Sequence, residues 1–365
     1  MLEKMLAKIV RDEIVARGGA LPFARFMELA LYCPNLGYYE AKRDTVGRRG
    51  DFYTSVSVGN LFGELLAFQF AEWLEEIKSP GVQLKIVEAG AHDGQLARDI
   101  LTWLESNRPA LFGELEYAIL EPSNRRREWQ REHLERFGDK VRWLSGFDAS
   151  TPSARVTGVI FSNELLDAFP VRRFGWNANK RKWFEWAVAA TGDHFAWTRI
   201  ELADNDAPFA GVPASLLDVL PDNFTTETSP AAAAWWRLAA ASLDRGRLMT
   251  ADYGLDWEEF FVPSRTDGTL RAFYRHHIAD DPLANAGEQD LTAHVNFTDV
   301  QRAGEGAGLK TEFYSTQSKF LTKILEKTLR DKGFGGWTPG RTRQFQTLTH
   351  PEHLGRSFRV LAQSR

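Results

Sequence analysis

The sequence has 365 residues, of which 43% are hydrophobic and 26% are charged, as is ordinary for a globular enzyme. Its 45 basic and 49 acidic residues give a formal charge of −4, too near neutral for a protein that binds nucleic acid. The single cysteine, Cys33, excludes an intramolecular disulfide and a cysteine-rich metal site, and no apolar run is long enough to enter a membrane as a spanning helix.

The first 80 residues predict a separate helical layer. Apolar residues recur at helical spacing from Leu2 until Gly18 and Gly19 end the run, and further helices are predicted from Phe23 to Tyr32 and from about 61 to 77. Because acids and bases alternate at the N-terminus, neither a signal peptide nor a transit peptide is expected there. We therefore expect a cytoplasmic protein.

From Leu84 onward, short apolar runs alternate with segments of helical periodicity. This alternation predicts right-handed βαβ units and a parallel sheet. Residues 171–245 interrupt it with patterns typical of antiparallel hairpins and with an alanine-rich helix. An apolar run of the earlier kind returns at 247–254, and the predicted elements that end the chain are a helix, a strand and a closing strand. The predicted strands of the alternating part are 84–89, 117–123, 141–144, 157–163 and 247–254.

A glycine turn carries the first functional signal. Glu88, Gly90 and Gly94 lie where a predicted strand ends and a helix begins, an arrangement that lets backbone amides approach an anionic ligand group. Glu121 closes the next strand, where a carboxylate can accept hydrogen bonds from ribose hydroxyls. Both NAD and S-adenosylmethionine (SAM) fit this pattern. The closing helix, strand and strand favour SAM, because dinucleotide dehydrogenases usually continue with further parallel units.

Several separate blocks, in a fixed order along nearly the whole chain, carry a family resemblance: 37–55, 61–73, 86–101, 162–174, 227–235, 251–254, 268–277, 290–299 and 355–362. Through them the chain resembles the MidA family of class I methyltransferases, which includes a mitochondrial complex I assembly-factor arginine methyltransferase. The resemblance implies a doubly wound α/β, Rossmann-like sheet that binds SAM (81–170 and 246–365). It also implies an N-terminal helical lid (1–80) and an inserted α+β lobe for substrate or partner (171–245).

One departure from the family pattern lies inside the glycine turn. The family sequence there is approximately Gly-Pro-Gly-Arg-Gly, so His92 and Asp93 replace its middle glycine and its arginine. A glycine at that place usually permits a positive φ or a close backbone approach. The replacement raises the alternative of weakened SAM binding.

The resemblance also assigns residues to the cofactor. Phe52, Thr54 and Ser55 are expected to cover it from the N-terminal layer, with a structural turn as the alternative. Asp148 follows the third strand of the sheet, where such folds often contact the adenine amine, and capping of a helix is its alternative. Asn163 ends the fourth strand and is also expected at the cofactor.

The acceptor side is predicted at the carboxyl end of that fourth strand. Glu164 and Asp167 are three residues apart, and two carboxylates can hold a guanidinium through charged hydrogen bonds. We expect both to be catalytic, and a capped turn with a surface acid is the alternative. The resemblance places His276 near the substrate entrance. Adjacent histidines in one loop rarely point at one ion, so no metal is expected there.

The sequence therefore predicts a SAM-dependent methyltransferase whose substrate is a protein and whose acceptor is arginine, with a link to respiratory complex I assembly by resemblance. One alternative is a methyltransferase that acts on a small molecule. Another is a non-catalytic assembly factor that binds SAM weakly or not at all. The sequence specifies neither the acceptor protein nor the oligomeric state.

Overall fold

A computed structural model describes residues 2–41, 54–148, 155–203, 206, 208–209, 211–275, 277–352 and 354–365. No helix in these ranges is long and apolar enough to cross a membrane. The described helices are α1 (Leu2–Ala16), α2 (Phe23–Tyr32), α3 (Tyr38–Ala41), α4 (Leu61–Ile77), α5 (Gln95–Asn107), α6 (Pro109–Glu114), α7 (Asn124–Leu134), α8 (Ala214–Leu217), α9 (Pro230–Ser242), α10 (Trp257–Phe260), α11 (Phe297–Gly306), α12 (Gln317–Thr328), α13 (Pro339–Thr349) and α14 (Leu354–Ser357).

Strands alternate with these helices through the middle and the end of the chain. The described strands are β1 (Leu21–Pro22), β2 (Leu84–Ala89), β3 (Leu115–Leu120), β4 (Val141–Leu144), β5 (Val156–Asn163), β6 (Arg172–Asn177), β7 (Lys182–Thr191), β8 (His194–Glu201), β9 (Thr225–Thr228), β10 (Leu243–Leu255), β11 (Arg271–Tyr274), β12 (His277–Ala279), β13 (Asp290–Thr292), β14 (Val295–Asn296), β15 (Lys310–Thr316) and β16 (Phe358–Ser364). The predicted helices α2 and α4 are confirmed with the predicted bounds.

The chain forms two compact units, each assembled from three stretches of sequence. The first unit comprises 1–45, 167–233 and 255–298, and the second comprises 46–166, 234–254 and 299–365. The three-part division predicted from the sequence differs from these units. In particular, α4 belongs to the second unit, where its apolar side chains are buried together with those of the sheet.

A mixed sheet forms the centre of the second unit. Strands β4, β3, β2, β5 and β10 pair in that order and are parallel, as the alternating sequence pattern predicts. The last strand, β16, pairs antiparallel with β10 on one side and with β15 on the other. The closing strand-and-strand arrangement predicted for the chain end is thereby confirmed.

Helices cover both faces of this sheet. Phe358, Val360 and Ala362 of β16 point into the large apolar core that contains α4, α5 and α12. Gln363 points to the opposite face, where it bonds with Trp236 of α9 and with the backbone of α11. Because side chains alternate along a strand, these contacts define a doubly wound α/β layer structure.

The first unit contains the predicted antiparallel hairpins. Strands β1, β7, β6 and β9 pair in that order, and β8 also pairs with β7. A smaller sheet has the order β12, β11, β13. Helices α1 and α2 contribute Leu6, Phe23 and Phe26 to the core of this unit, and their apolar spacing along the helix accounts for that burial. Cys33 is buried in the same core.

Candidate functional site

The turn between β2 and α5 has a backbone with repeated left-handed residues. Gly90 has φ 75°, His92 has φ 46° and Gly94 has φ 89°. Glycine takes such values without steric cost, whereas a histidine has to accept a Cβ close to its own carbonyl. His92 therefore adopts the backbone conformation for which the family pattern supplies a glycine.

Side chains from α7 hold the turn in place. The carbonyl oxygen of His92 accepts a hydrogen bond of 3.0 Å from Nε2 of Gln130. The carboxylate of Asp93 accepts one of 3.0 Å from the amide of Gln95 and lies 3.5 Å from Nδ1 of His133. Burial raises the pKa of Asp93, but the nearby His92 and the hydrogen bond from the Gln95 amide help to bring it below its ordinary value. Asp93 is thus ionised where the family pattern has an arginine.

Glu121 lies directly after β3, in a buried position. Its Oε1 accepts a hydrogen bond of 3.0 Å from the amide of Ser123, and its Oε2 accepts one of 3.2 Å from Gln130. Arg126 lies 3.8 Å from the same carboxylate. The structure therefore places an oriented carboxylate at the carboxyl end of the strand adjacent to the turn, and its role in binding ribose hydroxyls stays a prediction.

Glu88 has a different environment from Glu121, although both were predicted at the cofactor. It lies on the face of β2 that also carries Leu84 and Ile86, and it is 2% exposed. The hydroxyl of Tyr117 donates a hydrogen bond of 2.6 Å to its carboxyl group. Burial raises the pKa of Glu88 to about 8. At neutral pH the group is therefore largely protonated.

The carboxyl end of β5 presents a polar group without a described partner. Within the described ranges, Oδ1 of Asn163 is buried and accepts no hydrogen bond, whereas its Nδ2 donates to Glu164 over 3.0 Å. The carboxylate of Glu164 also accepts a bond of 3.2 Å from the amide of Ser55. Glu164 has φ 51°, so it is not part of the helical turn that follows it at Leu166–Ala168. The structure thus brings together three of the predicted residues.

Asp252 is a functional candidate that the sequence reasoning did not single out. It is fully buried on β10, and its Oδ2 accepts hydrogen bonds from the amides of Leu165 and Leu166 over 3.1 and 2.8 Å. The amide of Glu164 donates to the carbonyl oxygen of Ala251. Asp252 therefore fixes the loop that carries Glu164. An acid at the end of a predicted strand next to β5 was the available signal.

Asp167 belongs to the first unit. It is 8% exposed, and its backbone carbonyl accepts a hydrogen bond from the amide of Ala293. Burial raises the pKa of Asp167 to about 7, although bonds to backbone amides act in the opposite direction. This carboxyl group can change its protonation state near neutral pH.

The structure describes the surroundings of some of the other predicted site residues but not of all. Thr54 exchanges hydrogen bonds with Ser57 in a tight turn, and Ser55 donates from its hydroxyl to the buried Gln317. Asp148 is exposed just after β4. Phe52 and His276 lie outside the described residues. The cofactor and acceptor roles of these residues remain predictions.

The comparisons with known proteins agree on one family. The model of a family of S-adenosyl-L-methionine-dependent methyltransferases matches residues 65–315. A solved structure from Burkholderia thailandensis with S-adenosylhomocysteine (SAH) bound is 34% identical, with a TM-score of 0.86 over 100% of this chain and 92% of that one. A second solved structure from that organism is 33% identical, with a TM-score of 0.84 and the same shares of both chains. The predicted fold class and cofactor are confirmed.

Curated relatives are more distant. The Drosophila melanogaster homologue of the mitochondrial protein arginine methyltransferase NDUFAF7 is 27% identical over 98% of this chain and 84% of its own length. The Mus musculus NDUFAF7 protein is 29% identical over 94% of this chain and 81% of its own. Because both are mitochondrial proteins, the cytoplasmic location predicted from the sequence is wrong. The chain is an enzyme that uses SAM, and it belongs to the S-adenosyl-L-methionine-dependent methyltransferase family.

Proposed function

We propose that the protein transfers the methyl group of SAM to a guanidinium nitrogen of an arginine in a protein substrate. The observation that carries the proposal is the position of Glu164, whose carboxylate is held by Ser55 and Asn163 at the carboxyl end of β5. The names of the fly and mouse relatives, both protein arginine methyltransferases, support arginine as the acceptor.

The residues present fit the cofactor. Glu121 offers an oriented, buried carboxylate to the ribose hydroxyls, and the buried Oδ1 of Asn163 offers an acceptor for an amino group. The turn from Gly90 to Gly94 would lie against the rest of the cofactor, as in other folds of this type. When it is bound, SAM supplies a methyl group on a positively charged sulfur. The protein has to align the acceptor with that methyl group and exclude water.

Glu164 would orient the acceptor. A carboxylate pairs with a guanidinium through charge-assisted hydrogen bonds, which fix the direction of the nitrogen lone pair and stabilise the charge that develops. Asp252 fixes the backbone of the loop that carries Glu164. The direction of the Glu164 carboxylate is therefore set by the loop as well as by its own side-chain hydrogen bonds.

Peptide methylation tests the proposal. The protein is incubated with SAM and with matched peptides in which one arginine is retained or replaced by lysine, and the products are located by mass spectrometry. We expect methylation of the arginine peptide only, with one SAH released for each methyl group added. Turnover of metabolites without peptide methylation would refute the proposal in favour of a small-molecule methyltransferase. If calorimetry detects no binding of SAM, the alternative of a non-catalytic assembly factor is favoured.

A further inference from the structure

Gln130 of α7 connects the two parts of the proposed cofactor site. It is fully buried. Its Nε2 donates one hydrogen bond of 3.0 Å to the carbonyl oxygen of His92 in the turn and one of 3.2 Å to Oε2 of Glu121 after β3. Its Oε1 accepts a bond of 2.9 Å from Nε1 of Trp143 on β4. One side chain therefore contacts the ends of three neighbouring strands.

The partners determine which way the amide points. An indole N–H can only donate, so the oxygen of Gln130 has to face Trp143. Both N–H groups of the amide then point to acceptors, one a backbone carbonyl and the other a carboxylate. With both hydrogens of its amide engaged, Gln130 has no further N–H to offer a ligand.

The contact with His92 matters because this residue has a left-handed backbone without being glycine. Such a conformation is unfavourable for a residue with a Cβ and persists only where the surroundings hold it. The hydrogen bond from Gln130 holds the carbonyl of His92 at this place. The same side chain directs the Glu121 carboxylate, which also bonds with the Ser123 amide.

We propose that Gln130 is a positioning residue that sets the glycine turn and Glu121 relative to each other, so that cofactor affinity depends on it without a direct contact. This inference rests on the proposed cofactor site. It predicts that the effects of Gln130 and Glu121 on affinity are coupled, because Gln130 acts through Glu121.

The fold supplies a matched control at Gln363. This glutamine is also fully buried, its Oε1 accepts from the indole of Trp236, and its Nε2 donates to the carbonyl of Gln301 and to the hydroxyl of Thr311. It repeats the bonding pattern of Gln130, but its partners are a backbone carbonyl of α11 and side chains of α9 and β15. A loss of stability common to both glutamines can thus be separated from a loss of affinity.

The experiment compares Gln130→Glu and Gln130→Met with Gln363→Glu and Gln363→Met. Glutamate keeps the size and the bond from the indole but loses both donors, and methionine keeps the length without adding charge. Melting temperatures and SAH affinities are measured for all four variants. We expect similar losses of melting temperature at the two positions. Affinity for SAH should fall roughly tenfold to a hundredfold only at Gln130, as for the loss of a hydrogen bond to a charged group.

A double-mutant cycle completes the test. In a Glu121→Ala background, Gln130→Met should weaken SAH binding much less than it does in the wild-type protein. Wild-type affinity in both Gln130 variants, equal losses of affinity at Gln363, or fully additive effects with Glu121 would overturn the inference. If Glu121→Ala itself binds SAH as tightly as the wild type, the proposed cofactor site is wrong. If Glu121→Ala weakens binding and the Gln130 variants do not, only the inference about Gln130 is wrong.

Discussion

Replacing Glu88 with glutamine should change how the stability of the protein depends on pH. Burial raises the pKa of Glu88 from 4.5 to about 8, and the hydrogen bond from Tyr117 opposes this shift in part. A carboxyl group with a raised pKa binds more protons in the folded than in the unfolded chain between these two values. The free energy of unfolding therefore falls as the pH rises through this window.

The size of the effect follows from the two pKa values. Each pH unit in the window lowers the free energy of unfolding by at most about 1.4 kcal/mol per proton. Between pH 5 and pH 8 the wild-type protein should lose roughly 2–4 kcal/mol through this group. Glu88→Gln removes the titration but keeps an oxygen that accepts from Tyr117, so this part of the pH dependence should disappear. Tyr117→Phe should steepen the dependence, because a bond that lowers the pKa of Glu88 is lost.

Urea unfolding at pH 5, 6, 7 and 8, followed by tryptophan fluorescence, measures both variants beside the wild type. A SAH titration of each variant at pH 7 controls for a folded cofactor site. Parallel stability curves for the wild type and Glu88→Gln would show that Glu88 is already ionised in the folded protein at neutral pH. The reasoning from its burial would then be refuted.

Three further substitutions test the proposed site. Glu121→Ala should weaken SAH binding by roughly 1–3 kcal/mol in calorimetry, since a charged hydrogen bond to the ribose is lost, and an unchanged dissociation constant would contradict the assignment. His92→Gly should fold normally and bind SAH as tightly as the wild type or more tightly, because glycine takes φ 46° without strain; a large loss of affinity would instead identify the histidine side chain as a ligand contact. Glu164→Gln should slow single-turnover methyl transfer by about a hundredfold, with little change in SAH affinity; normal transfer would remove Glu164 from the mechanism, and loss of SAH binding would move it to the cofactor site.

Local sequence patterns were sufficient for the sheet and its turn. Alternating apolar runs and helical patterns predicted the parallel strands, because each signal spans only a few neighbouring residues. They also singled out Glu121, an acid that closes the strand next to the glycine turn, and the structure shows this residue to be buried. The pattern of α4 predicted a helix with an apolar face, but it contains no information about which surface that face covers. Its burial with the sheet, rather than in a separate layer, is therefore a tertiary result.

Local sequence patterns could not predict the residues that hold the proposed site in place. Asp252 is separated from the loop it holds by about ninety residues, and Gln130 acts on His92 and Glu121 through contacts that only the folded chain creates. Both lie within segments that predicted a plain strand or helix. The left-handed backbone of His92 could not be predicted either, because a residue with a Cβ disfavours a positive φ.

The position of β16 has a consequence for synthesis on the ribosome. This strand, residues 358–364, lies between β10 and β15, and it pairs with both of them. During translation the chain is made from its N-terminus, so β10 and β15 are synthesised before β16, the strand that pairs with both of them. Until then their edges offer unpaired amides and carbonyls to other chains. Nascent chains stalled before residue 358 should accordingly depend on chaperones more than chains that have released β16.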